Sequence, residues 1–152
     1  MLFRSSGSIM TDERRRRRVE GAFILKFTKF PISRRIVATR EPVNWTDLPR
    51  EMVGNGFIER CGFGGTNSIA VFNWVKPGYV PRPHQHEFEQ IVFILEGECN
   101  YHVGDDVYAC NAGSMIRVPP NTMHCIEVTG NQTVLNLDIF APIREDYAHL
   151  LK

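Results

Sequence analysis

From about residue 56 onward, apolar and polar residues alternate in short runs broken by Gly, Pro, Asn and Asp. Side chains alternate faces along a strand, so such runs predict strands with one buried face. SIAVFNWV at residues 68–75 puts Ile69, Val71, Asn73 and Val75 on one side. IVFIL at residues 91–95 has the β-branched and aromatic character of a buried strand. GFIERCGFGG at residues 56–65 predicts a strand ending in a glycine loop. EGEC, at Gly97, fits a hairpin turn, after which CNYHV (99–103), a GDD turn and VYAC (107–110) continue a meander. SMIRV (114–118), HCIEV (124–128) and TVLNLDIF (133–140) complete the strands. VNWTDLP at residues 43–49 is a turn-rich entry, and AFILKFTKF at residues 22–30 predicts an edge strand that can add across a dimer. Only REDYAHLL at residues 144–151 predicts a helix, with Tyr147, Leu150 and Leu151 along one side. Short strands with turn residues about every eight to twelve positions predict an all-β sandwich or barrel with a short C-terminal helix.

A chain of 152 residues, 43% hydrophobic and 23% charged, fits one globular domain with a proper core. Its net charge of +1 hides an asymmetry. Residues 1–40 carry eleven Lys/Arg against three Asp/Glu, and residues 41–152 carry seven against fourteen. The expected organisation is a basic N-terminal extension over residues 1–40, partly disordered or forming an edge strand, followed by one domain over residues 41–152. The Arg14–Arg18 run resembles an export n-region, but Lys26 and Lys29 interrupt the apolar stretch behind it and no small-residue cleavage site follows. Nucleic acid would want further basic residues on the folded part, and that part is acidic. No run is long enough to span a bilayer. The expectation is a cytoplasmic protein with neither membrane nor nucleic acid as partner. Cys61, Cys99, Cys110 and Cys125 show no paired spacing and are expected as reduced core residues.

The chemistry concentrates in GYVPRPHQHEFEQIVFILEG at residues 78–97. If this stretch is extended, His84, His86 and Gln90 share parity and converge on one side of a sheet. His124, in the later segment at residues 113–124, supplies a third imidazole. An isolated HxH pair on a strand is commonly just exposed or packed, so the weight lies on the full set. Three imidazoles and an amide oxygen suit one divalent transition metal (Ni, Fe, Mn, Zn or Cu) without selecting among them.

The spacings resemble the two signature motifs of the cupins, small jelly-roll barrels built as a double-stranded β-helix. Gly78, His84, His86, Gln90 in the place of a glutamate, and Gly97 match the first. Gly113, Pro119, Asn121 in the place of a glycine, and His124 match the second, with Val128 where an asparagine would fall. The resemblance implies His84, His86, Gln90 and His124 as metal ligands. Gln90 brings no charge, so the ion keeps its full double charge and becomes a stronger Lewis acid. His102 and His149 match neither motif.

LDIFAPIREDYAHLL at residues 137–151, with Trp45–Leu48 upstream, is similar to a subset of small cupins that includes pectin-degradation proteins acting on unsaturated uronates. By that resemblance Asp138, Phe140 and Arg144 line the metal cavity, with Asp138 moving a proton and Arg144 clamping a carboxylate. Arg144 and Asp146 can equally pin the C-terminal helix. The implied function is a metal-dependent isomerase or lyase that opens or tautomerises a small anionic hydroxy-carbonyl compound. Alternatives are an Fe or Ni dioxygenase and a non-catalytic module that binds or senses a small ligand. A homodimer is expected, because strands such as IVFIL have a second apolar face.

Overall fold

The structure, a computed structural model, describes residues 42–151. The edge strand expected at residues 22–30 and the rest of the basic extension lie outside that range. The described strands are β1 (Glu51–Val53), β2 (Ile58–Gly64), β3 (Ile69–Val75), β4 (Gln90–Glu96), β5 (Glu98–Val103), β6 (Asp106–Asn111), β7 (Met115–Val118), β8 (His124–Val128) and β9 (Val134–Phe140). They form two antiparallel sheets, ordered β1-β2-β3-β9-β4-β7 and β6-β5-β8. This is the all-β jelly roll that the strand pattern and the motif spacing imply.

The core lies between the sheets. Val92, Ile94, Val118 and Val134 from the larger sheet pack with Cys99, Tyr101 and Cys110 from the smaller one. On β3, Ile69, Val71, Asn73 and Val75 are all buried, as the alternation predicts. All four cysteines are free and buried. Among the described residues no helix is long and apolar enough to cross a membrane.

Gly97 does not close a hairpin. Strand β4 pairs with β7 and β9, whereas β5 pairs with β6 and β8, so the chain turns a corner between sheets at Gly97. Its φ is +82°, and a Cβ there would lie 2.9 Å from the Thr133 carbonyl oxygen. Local alternation is the same on both sides of a hairpin and of a corner, which is why the sequence pattern suggests a meander. Only β5 and β6 meet through the expected tight turn, with Val103 opposite Asp106.

The C-terminal helix is a 3-10 helix, Glu145–Leu150. Its predicted apolar side is nonetheless the one that packs: Tyr147, Leu150 and Leu151 lie against Ile69, Val71 and Phe140. Gly62 and Gly64 on β2 make room for it, since a Cβ on Gly62 would sit 2.7 Å from the Leu150 Cβ.

Candidate metal centre

The stretch carrying His84, His86 and Gln90 is not one continuous strand. Gln90 opens β4, while His84 belongs to an isolated bridge with His124. Pro81 and Pro83 precede the bridge and limit ladder formation there. Backbone bonds replace the missing strand. His84 and His124 exchange N–H to carbonyl bonds of 3.1 and 2.8 Å, and the Asn121 N–H donates to the His86 carbonyl at 2.7 Å. Asn121 holds φ at +57°, a conformation open to Gly and Asn, which accounts for Asn where the cupin motif has glycine.

All three imidazoles are oriented in the same way. Nδ1 of His84 faces the Arg82 carbonyl at 3.1 Å, Nδ1 of His86 the Phe88 carbonyl at 2.8 Å, and Nδ1 of His124 the Thr122 carbonyl at 2.8 Å. A carbonyl only accepts, so each Nδ1 carries a proton and Nε2 is the ring nitrogen left to face the cluster. The candidate ligand atoms of His84, His86 and His124 lie within 4.8 Å of one another. The His124 ring is 2% exposed and its buried Nε2 has no hydrogen-bond partner among the described residues. Burial, and then the neighbouring rings, push His124 down to about 4 against the pull of the Thr122 carbonyl, and burial also lowers His84. Both are therefore neutral at pH 7, the form that ligates metal.

Gln90 stands beside this cluster. Its Nε2 donates to Asp138 Oδ1 at 2.8 Å and to the Tyr101 hydroxyl at 3.2 Å, which fixes the amide orientation. Oε1 is thereby left 3.1 Å from His86 Nε2. With Nδ1 already protonated, these two atoms are compatible when a proton or a metal cation lies between them. Adjacent ligands of one ion, each about 2.1 Å from it, are separated by about this distance. The orphaned His124 nitrogen and this pair together fit a divalent transition metal.

Asp138 is 7% exposed and held by three amides. Gln90 and Asn136 donate to Oδ1, each at 2.8 Å, and Asn73 donates to Oδ2 at 3.0 Å. Burial raises its pKa to about 6, opposed by the Gln90 bond and by the Arg60 charge. A cavity of about 80 Å3 connects Asp138 with His84, Gln90 and Tyr101, and Arg60, Asn73 and Tyr147 also line it.

The two remaining expected residues adjoin the cluster but do not line the cavity. Phe140 is buried and stands edge-on to the His86 ring at 5.6 Å, behind the cluster and off the cavity wall. Arg144 does not line the cavity either. Its Nε and Nη2 both donate to the Asp146 carboxylate, and its guanidinium rests against Phe140 and Tyr147 at 4.8 and 4.5 Å. With its fork engaged by Asp146, Arg144 pins the C-terminal segment, while its charge still acts on His84, His124 and Asp138. His102 and His149 pair with Glu127 and Glu51, away from the cluster.

Sequence reasoning missed Arg60, Asn73 and Tyr101 as cavity residues. The signal was present for Asn73, a polar side chain on an otherwise apolar strand face. Arg60 lies opposite it in the β2–β3 register and shares its inward direction.

Residues 74–140 match the family model of the cupin domain. Among solved structures, the chain is similar to an RmlC-like cupin from Shewanella frigidimarina NCIMB 400, at 26% identity and a TM-score of 0.63, covering 69% of this chain and 93% of that one. It is similar to KdgF from Halomonas sp. at 25% identity and a TM-score of 0.61, covering 68% and 94%. A predicted oxalate decarboxylase from Thermotoga maritima shares the fold at 21% identity and a TM-score of 0.62, covering 68% and 100%. No curated protein compared with the chain matches it.

Proposed function

We propose that this protein is a cupin and a metal-dependent enzyme of the isomerase or lyase type, which opens or tautomerises a small anionic hydroxy-carbonyl compound such as an unsaturated uronate. The supporting observation is the buried Asp138 carboxyl, poised near pH 6 and bonded to the same amide whose oxygen faces His86. His84, His86, Gln90 and His124 would hold one divalent ion. Such an ion supplies Lewis acidity, drawing electron density from a hydroxyl or carbonyl oxygen bound beside it.

The chain's own groups supply the proton chemistry. A carboxyl whose pKa lies close to the working pH is both a competent base and a competent acid. Oδ1 of Asp138 accepts two amide bonds and Oδ2 only one, so Oδ2 is the oxygen on which a proton is taken up and returned. The amides of Asn73, Asn136 and Gln90 hold the carboxylate still and give it few alternatives to substrate. Its position between the sheets keeps bulk water from competing for the proton.

The test is incubation of purified protein with unsaturated galacturonate, following loss of the double-bond absorbance with and without a chelator. A metal-dependent decay supports the proposal. No decay with a fully loaded protein removes this substrate class. Oxygen consumption in the same reaction would point to dioxygenase chemistry instead.

A further inference from the structure

We infer that Arg60 is the anion-recognition group of the cavity and takes the carboxylate of a small polyhydroxy acid. The kind of acid rests on the proposed function above, while the anion site rests on the cavity alone. Arg60 lies on β2 opposite Asn73 of β3. Its Nε donates to the Asn73 Oδ1 at 2.7 Å, and the Asn73 amide donates in turn to Asp138 at 3.0 Å. The guanidinium is thus fixed relative to the acid–base carboxyl. One face of it is turned to the Tyr147 ring, 5.0 Å from the centroid.

Its two terminal nitrogens, Nη1 and Nη2, have no hydrogen-bond or ion-pair partner among the described residues. The neighbouring acid on β2, Glu59, is engaged by Arg50 and Lys76. The planar guanidinium fork matches a carboxylate bidentately. The charge on the cavity wall points the same way. Arg60 and Arg82 line it, and Asp138 is the one acidic residue there. Tyr79, Tyr101 and Tyr147 border the same space and offer hydroxyls for a polyhydroxy ligand.

The experiment is calorimetric titration of the purified full-length chain with D-galacturonate and with its neutral counterpart D-galactose, alongside bound-metal content. Wild type is expected to bind the acid about tenfold or more tightly than the neutral sugar, the range of a charge-assisted hydrogen bond. Arg60→Gln is expected to abolish that preference, and Arg60→Lys to restore part of it, with the metal content unchanged. Arg82→Gln should keep most of the preference, which covers the case in which Arg60→Gln fails to fold. A wild type without acid selectivity, or an Arg60→Gln protein that retains it, overturns the inference. Loss of selectivity in Arg82→Gln but not in Arg60→Lys overturns it as well. Acid-selective, Arg60-dependent binding without turnover of unsaturated galacturonate leaves the anion site standing and removes only the proposed reaction.

Discussion

Replacing Gln90 by Glu changes little in shape and much in charge. The Gln90 Nε2 donates to Asp138 Oδ1 at 2.8 Å inside a buried cluster. In the variant a carboxylate oxygen takes that place, and two carboxylates at this separation repel by about 6 kcal/mol at an effective dielectric of about 20. That corresponds to about 4 pK units, so the buried cluster keeps one proton to well above neutrality, whether between the two carboxyls or shared with His86. The consequence is readable without substrate or metal. In wild type the Asp138 pKa is raised from 3.8 to about 6. The folded state therefore binds the extra proton, and the contribution of Asp138 to stability falls as pH rises through that window, then levels off above it. In Gln90→Glu the folded state still holds one more proton than the unfolded chain between pH 6 and 8. Its stability relative to wild type should then keep falling, by up to about 1.4 kcal/mol per pH unit. Urea unfolding of chelator-treated protein at several pH values between 6 and 8 measures this. A difference that stays flat across this range would refute the account of the Gln90–Asp138 pair.

Other outcomes follow from the same groups. Asp138→Asn should lower kcat on unsaturated galacturonate by about 10²- to 10⁴-fold while leaving bound metal in place, as expected for loss of a general acid–base group; steady-state kinetics and elemental analysis read the two effects separately. In metal-free wild type, His124, lowered to about 4, adds stability as pH rises from 4 to 6.5, while Asp138 removes it from 3.8 to 6. Chelator-treated Asp138→Asn should therefore gain stability with pH more steeply than wild type over this interval in thermal melts. Gly62→Ala should destabilise the fold by about 1–3 kcal/mol, because its new methyl would meet the Leu150 Cβ at 2.7 Å; urea unfolding checks the size, and loss of protection at Tyr147 by hydrogen exchange checks the place.

The strand faces were legible because alternation reports burial directly. Ile69, Val71, Asn73 and Val75 needed only their parity. The third imidazole of the cluster, His124, was legible from motif spacing, although its partner His84 reaches it through a single bridge rather than a shared strand. Gly97 was misread because a corner between sheets and a hairpin within one carry the same local signal. Arg60, and not Arg144, lines the cavity for a related reason. Which arginine lines the cavity depends on pairing between β2 and β3 and on where Asp146 falls, and neither is written in the local pattern. Arg60 becomes visible once its register with Asn73 is known.

The central claim is that three imidazole nitrogens and one uncharged amide oxygen share a divalent cation. Elemental analysis of protein purified without added metal, compared with His84→Ala, His86→Ala and His124→Ala, tests it most directly. About one transition-metal ion per chain in the wild type, lost from each folded variant, is the predicted result. Equal metal content in wild type and all three variants would contradict it.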